Sequence, residues 1–420
     1  MSHLSYMEKL LDGVEVEWRT LGDISIVYGG LTGKSKNDFE DGNASYIPYK
    51  NIFSNMAVNL DNLELVKISD MENQRAVKYG DVLFTGSSEK PDEAGMSSVV
   101  TQELEEAIYL NSFSFGVRFN SNIKMNPHFS KYLFRSYFMR KEIIKTASGV
   151  TRFNISKARF KRLQIPIPPL NVQAEIVRVL DTFTELTAEL TAELTAELTA
   201  RQQQYAYYRD ECFNFNEVEW ETLGVVSKIQ RGASPRPIAK YVTDDKSGVP
   251  WIKIGDTRLG SKFVDNTAQR ITFEGAEKSR VLKKGSFIMS NSMSYGRPYI
   301  LGIEGAIHDG WASISDFEAK LNPDFLYHYL SSGNVKKYWE SKINSSSVSN
   351  LNSDIIKALP VPIPPIDEQE RIASILDKFD TLTTSLTEGL PREIELRKQQ
   401  YEYYRDLLLS FPKPEVVAHD

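Results

Sequence analysis

The chain has 420 residues, 41% of them hydrophobic and 25% charged, the balance of a globular protein of two or more domains. A single cysteine, Cys212, excludes an internal disulfide and a cysteine-built zinc site; five scattered histidines offer no ligand spacing, and no apolar run reaches the ~18 residues of a membrane span. The net charge of −6 argues against a uniformly basic nucleic-acid binder, but the charge is segregated: residues 131–162 hold ten Lys/Arg against one acid, 228–297 fourteen against six, and 61–106 four against eleven.

The opening Met1-Ser2-His3-Leu4-Ser5-Tyr6 lacks the basic start and apolar stretch of a signal peptide, so the cytoplasm is the expected compartment. Tyr6-Met7-Glu8-Lys9-Leu10-Leu11 lies 202 residues before Tyr208-Arg209-Asp210-Glu211-Cys212-Phe213 and echoes a helix end. Residues 1–14 are therefore expected to pack on the end of the C-terminal helix.

Residues 15–162 read as a globular domain of short strands, such as Ser45-Tyr46-Ile47-Pro48-Tyr49 and Gly80-Asp81-Val82-Leu83-Phe84-Thr85, with helix near 129–146. Gly29-Gly30-Leu31-Thr32-Gly33-Lys34-Ser35 resembles a phosphate loop, but it puts three or two residues between glycines where four are needed. An exposed loop offering Lys34, Ser35 and Asn37, or a purely structural turn, is the better reading. Lys50, the polar loop with Ser87, Ser88 and Lys90, and Arg152 complete the candidate DNA contacts of this half. Most lysines of the 131–162 cluster are expected to touch phosphate, which positions a protein on DNA without specifying sequence.

Residues 163–214 begin with the strap Leu163-Gln164-Ile165-Pro166-Ile167-Pro168-Pro169, followed by a helix N-capped by Asn171 and running to about Cys212, about 60 Å long. Thr-Ala-Glu-Leu occurs there three times in tandem, at 187–190, 191–194 and 195–198. These are strong helix formers, so Thr187, Leu190, Thr191, Leu194, Thr195 and Leu198 mark a rigid spacer.

Residues 215–358 and 359–412 repeat this plan, with a tail at 413–420. Val16-Glu17-Trp18-Arg19-Thr20-Leu21-Gly22 returns as Val218-Glu219-Trp220-Glu221-Thr222-Leu223-Gly224, Asn126-Pro127-His128-Phe129 as Asn322-Pro323-Asp324-Phe325, and Gln203-Gln204-Tyr205-Ala206-Tyr207-Tyr208-Arg209-Asp210 as Gln399-Gln400-Tyr401-Glu402-Tyr403-Tyr404-Arg405-Asp406. The strap returns as Leu359-Pro360-Val361-Pro362-Ile363-Pro364-Pro365, with Asp367 at the expected N-cap and helix to about Leu409. Gly389 and Pro391 should kink that helix or delay its start. Matching apolar stripes, Leu180, Phe183, Leu186, Leu190 and Leu376, Phe379, Leu382, Leu386, can be buried by pairing the two helices. The second globular half offers Arg231, Ser234, Arg236, Lys253 and Arg258 around Trp251, and the loop with Asn291, Ser292, Tyr295 and Arg297. Arginine suits guanine, and asparagine suits adenine. The tyrosines at 205, 207, 208 and at 401, 403, 404 are either partner anchors or helix-packing residues.

A methyltransferase for an exocyclic amine needs a cofactor loop and an Asn/Asp-Pro-Pro-aromatic pocket. Here the Pro-Pro pairs follow Ile and precede Leu170 or Ile366, so no catalytic role is expected.

The order of these features, twice over, resembles the specificity subunits of type I restriction–modification enzymes; the carriers are the two differing domains, the Ile-Pro-Ile-Pro-Pro strap, Glu368-Gln369-Glu370 and the Gln-Gln-Tyr-x-Tyr-Tyr-Arg-Asp helix ends. The tandem Thr-Ala-Glu-Leu is similar to one subgroup of that family. The resemblance implies an α+β fold in which two pseudo-twofold-related target recognition domains are separated by two long helices forming an antiparallel, coiled-coil-like pair. It implies a non-catalytic reader of a bipartite asymmetric site on double-stranded DNA, one domain per half-site, without a membrane. Two modification subunits using S-adenosylmethionine, and restriction subunits using ATP and Mg, would dock on it, and the chain itself would bind no cofactor. The competing expectation is a DNA-independent coiled-coil scaffold that pairs two binding modules.

Overall fold

A computed structural model describes residues 9–69, 71–258, 260–291, 295–344, 351–385 and 388–413; Ser292, most of the expected 1–14 segment and nearly all of the tail lie outside them. The chain divides into two compact units, Met1–Glu189 with Arg397–Asp420, and Leu190–Leu396. No helix among the described residues is long and apolar enough to cross a membrane.

The repeated sequence signatures prove to be partners of one another. Glu17–Thr20 pairs antiparallel with the strap strand Gln164–Ile167, setting Trp18 opposite Pro166. Glu219–Thr222 pairs with Pro360–Ile363 in the same register, Trp220 opposite Pro362. Both ribbons have two strands, which leaves an unpaired edge for prolines that cannot donate a ladder bond.

Beyond the ribbon, the units share two β-sheets folded around apolar cores, and the first unit adds a small three-stranded sheet of Ala147–Ser148, Phe153–Ile155 and Ser87–Ser88. In the first unit Ser25–Gly29, Ser114–Phe119, Val82–Thr85 and Ser97–Val99 form an antiparallel sheet, and Ala44–Ile47 pairs parallel with Ile108–Leu110 in a second. The second unit repeats both and enlarges them to five strands each, with Val249–Ile252 parallel to Gly305–Ile307. Phe84 is the hub of one core, with ring centroids of Phe115, Phe134 and Phe160 at 5.3, 5.3 and 4.9 Å. Large aromatic area buried in edge-to-face contact is a main source of core stability.

The helical stretch expected near 129–146 consists of Pro127–Leu133 and Tyr137–Lys145. Asn126 and Asn322 cap this helix and its counterpart Pro323–Leu330 through their side-chain oxygens, with Pro at the first turn. A buried glutamine ties each capped turn to the strap. Gln173 accepts from Asn126 N at 2.8 Å and donates to Lys124 O and Pro168 O at 3.0 and 2.7 Å. Gln369 does the same with Asn322 N, Lys320 O and Pro364 O at 2.7, 3.0 and 2.9 Å.

The central helix runs without a break over Leu170–Cys212, so all three Thr-Ala-Glu-Leu repeats are helical. Leu190, Leu194 and Leu198 are half-buried, as are Thr187 and Thr191, while Thr195 is exposed and donates to Thr191 O at 2.6 Å. Its counterpart is broken into Ile366–Thr384 and Gly389–Leu408. The first ends at Ser385, which turns to an extended conformation, and the second opens on Gly389 with φ +78, where an added Cβ would lie 2.6–2.7 Å from the carbonyls of Leu382 and Thr381. Asn171 and Asp367 are not caps: the helices begin one residue earlier, at Leu170 and Ile366, because Pro169 and Pro365 already hold a chain direction that starts the first turn.

Helix pairing is antiparallel within each unit. In the first, Thr184 Oγ1 meets Tyr401 Oη at 2.9 Å and the Phe183 ring lies 6.0 Å from Tyr404. In the second, Tyr205 and Tyr208 stack on Phe379 at 6.3 and 6.2 Å, and Gln202 reaches Thr383 O. Tyr401 and Tyr205 are thus packing residues, whereas Tyr207 and Tyr403 stay 63% and 62% exposed. The start of the chain joins the first unit: Leu11 shares a core with Leu408, Leu409 and Phe411, and Trp18 Nε1 donates to Pro412 O at 2.9 Å.

Candidate nucleic-acid interface

Three loops cross at the end of the sheets in each unit, held by the same backbone bonds. In the first unit Gly30 N donates to Ser114 O, Leu31 N to Leu110 O, Gly86 N to Phe113 O and Asn111 N to Ile47 O. In the second the bonds are Gly232 N to Trp311 O, Ala233 N to Ile307 O, Asn291 N to Gly310 O and His308 N to Ile252 O. The crossing is tight: a Cβ on Gly30 would sit 2.0 Å from Asn111 O, and one on Gly232 2.0 Å from His308 O. These bonds set Thr32 against Ser234, Gly86 against Asn291, and Ser112-Phe113 against Asp309-Gly310 as structural equivalents.

The frame is shared but the side chains on it are not. In the first unit a cleft of about 820 Å³ is lined by Tyr49, Phe53, Ser87, Phe113, Thr151 and Arg152, among others. Phe113 is 63% exposed, with the Arg152 guanidinium 6.0 Å from its ring centroid. Arg152 Nε donates to Ser87 Oγ at 3.2 Å, and Tyr49 Oη donates to Ser87 O at 2.8 Å. An exposed arginine fixed at its base beside an exposed ring can meet a base edge or a base face.

In the second unit the crossing carries a polar hub. Arg231 Nε and Asn291 Nδ2 both donate to Asp309 O, at 3.1 and 3.3 Å. Ser234 Oγ donates to Asp309 Oδ1 at 2.6 Å, and Arg236 Nη2 lies 3.6 Å from Oδ2. The Ser234 hydroxyl is the main reason the Asp309 carboxyl is held below the usual range. His308 accepts from Gly310 N through Nδ1 at 2.7 Å, with Ile254 N 3.3 Å from Nε2. Burial, its largest influence, pushes the imidazole down, so it stays a neutral acceptor.

The remaining candidates scatter. Lys34 is turned inward: its side chain is 4% exposed, ion-paired with Glu72 and bonded to Lys67 O at 2.5 Å, so it is not offered to phosphate. Ser35 spends its amide and hydroxyl on Asp38 at 2.7 Å each, in a 3-10 turn, Lys36–Phe39, too short to present a helix end to a nucleotide. Asn37 and Lys50 are exposed. Ser87 and Ser88 are 8% exposed, and Lys90 pairs with Glu93 at 2.9 Å. Lys253 reaches Gln269 at 2.8 Å, Arg258 and Tyr295 are exposed, and Arg297 packs over Tyr299 at 5.4 Å.

Only part of the 131–162 cluster is open to solvent. Lys131 pairs with Asp181, and Arg135 and Arg140 are pushed down to about 10 by burial among carbonyl oxygens, so these charges brace the fold. Lys141, Lys157, Arg159, Lys161 and Arg162 remain exposed. Asp309, Phe113 and Tyr49 escaped the sequence reading. The available signal was position: His308-Asp309-Gly310 and Asn111-Ser112-Phe113 each follow the matching strand that closes the second sheet.

A family model described as "Type I restriction modification DNA specificity domain" matches residues 13–200 and again 217–396. The EcoR124I/EcoR124II specificity subunit of Escherichia coli is 34% identical, with 100% of each chain covered. A putative type I restriction enzyme specificity subunit of Haemophilus influenzae is 32% identical over 97% of this chain and 98% of its own. Among solved structures, a chain of a type I R-M system has TM-score 0.71 at 18% identity, covering 94% of this chain and 98% of that one. The HsdS subunit of Thermoanaerobacter tengcongensis has TM-score 0.57 at 19% identity, covering 94% and 96%.

Proposed function

This chain belongs to the type I restriction modification DNA specificity family, and on that premise we propose that it reads a bipartite, asymmetric DNA site with one unit per half-site. The observation that carries the proposal is the duplicated three-loop crossing. Its backbone bonds are the same in both units while its side chains differ, an aromatic cleft with Arg152 in one and a hub of Arg231, Ser234, Arg236 and Asn291 in the other. Such a device keeps docking geometry constant and varies the bases read. Exposed cations at 157–162 would grip phosphate and set the register.

The chain acts as a non-catalytic recognition subunit in a cytoplasmic complex. Two modification subunits supply S-adenosylmethionine chemistry, restriction subunits use ATP and Mg²⁺, and this chain holds neither cofactor. The exposed Tyr207 and Tyr403, repeated at equivalent helix positions, are suited to anchor two copies of one partner. The Thr-Ala-Glu-Leu repeats serve as the rigid spacer between half-sites.

A gel shift with genomic fragments, run with the modification subunits present, tests the reading. Retention of a sequence-defined subset of fragments, resistant to competitor DNA, is expected. Binding of all fragments alike, or of none, would leave a DNA-independent scaffold as the better account.

A further inference from the structure

Asp309 is an acid placed where a phosphate-binding surface would have none. Its side chain is 43% exposed and that of Arg236 83%, with Arg236 Nη2 and Asp309 Oδ2 3.6 Å apart. A pair this exposed and this long contributes little to folding, so stability does not explain it. Nor does phosphate binding, because a carboxylate beside the guanidinium repels phosphate and weakens the grip. The carboxylate is nonetheless fixed: Ser234 donates to Oδ1 at 2.6 Å, and Arg231 and Asn291 both hold the Asp309 carbonyl. Oδ2 keeps acceptor capacity beyond Arg236. The crossing therefore presents donors from Arg236 immediately beside an anchored acceptor.

In the major groove a G·C pair shows the complement of that arrangement. Guanine N7 and O6 are two adjacent acceptors, and the N4 amino group of cytosine, next to O6, is a donor. An A·T pair alternates acceptor, donor and acceptor, which a guanidinium beside a carboxylate matches poorly.

We propose that Asp309 and Arg236 together read one G·C base pair in the half-site of the second unit, Arg236 on the guanine edge and Asp309 on the cytosine amino group. The proposal rests on the DNA-reading function above and assigns one base pair of that site. The equivalent of Asp309 in the first unit is Ser112, and Phe113 rather than Gly310 follows it, so that half-site is read by other means.

The test uses the complex of this chain with its modification subunits and a pool of duplexes randomised through both half-sites, with bound or methylated sequences counted. Wild-type protein should enrich one G·C pair in the half-site that follows the second unit. Arg236→Ala should lower the preference at that one position by about 5- to 150-fold, the discrimination expected of one bidentate contact. Asp309→Asn, which keeps an oxygen for Ser234 but puts an amino donor toward the groove, should relax the same position and no other. The half-site of the first unit should be unchanged in both variants, which separates a lost contact from a lost fold. Relaxation at two different positions, a uniform loss over all sequences, or an unaltered Asp309→Asn preference would each overturn the pair. Absence of any sequence preference in the wild type would instead overturn the DNA-reading function itself.

Discussion

His308 sits where two of the crossing loops meet, and its protonation state is part of the joint. Its Nδ1 accepts from Gly310 N, a bond that an imidazolium, which has only donors, must break. Burial depresses the folded pKa below the ordinary 6.5. The unfolded chain takes up the proton first, so this contribution to stability is complete above about 6.5 and is lost as pH falls through the lower folded value. The thermal stability of the second unit should therefore fall on mild acidification, and His308→Gln, which keeps an acceptor but cannot titrate, should flatten that dependence. Equal acid sensitivity in the variant would show that other groups govern it. At Gly232 the constraint is steric. Ala there would drive a Cβ against the His308 carbonyl at 2.0 Å, and a loss of about 1–3 kcal/mol is expected in denaturant unfolding, together with recognition of one half-site. At this scale the sequence was a partial guide. Arg231, Ser234, Arg236 and Asn291 were legible as polar residues on glycine-marked loops, and the structure brings them to one place. Asp309 was not, because the pairings that recruit it span 75 residues or more to Ser234 and Arg231, and because an acid runs against the expectation for a DNA face. Lys34 misled for the opposite reason: its neighbours in sequence look like a phosphate loop, and its partner Glu72 is far along the chain.

Among the elements, the strap and its glutamine join each globular half to its helix. Gln173 and Gln369 are buried to 0% and 1% exposure and each satisfies three backbone groups. Gln369→Ala would strand those groups away from water, at a cost of roughly 2–4 kcal/mol from unsatisfied donors and acceptors. Urea unfolding should report that loss in the second unit, and Gln173→Ala should do the same in the first; a change within about 0.5 kcal/mol would mean that water replaces the amide. The elements were the most legible level of the fold. Repeated sequence marked the strap, the Asn-Pro helix start and the helix ends, and the Thr-Ala-Glu-Leu run implied an unbroken helix, whereas the strap read only as the lead into that helix and its strand character came from the structure. The paired partners of these pieces were not visible, since strand pairing between 17–20 and 164–167 is set by three-dimensional packing rather than by local pattern. The helix break near Gly389 was foreseen in place but not in degree: the first helix ends at Ser385 in extended conformation and the second opens on Gly389 with positive φ, where a proline kink alone would have bent a continuous helix.

For the whole molecule, the three helical repeats connect the readers, and their number should control spacing. Deleting four helical residues removes about 6 Å and a net rotation of about 40°. One base-pair step turns about 34–36°. Removing residues 195–198 should shorten the unread spacer by one base pair and leave both half-sites unchanged, whereas a two-residue deletion, turning the helix by about 200°, should abolish recognition. Methylation of a library of spacer lengths measures both, and an unaltered spacer after the four-residue deletion would reduce the repeat to filler. The deeper claim is that each unit reads alone. It is tested most directly by replacing residues 215–358 with the corresponding domain of a relative that has a different site, then sequencing methylated adenines in a host that carries the chimera with its modification subunits. The account predicts that one half-site changes to that of the donor while the other half-site and the spacer stay as they were; a change in both half-sites would contradict it.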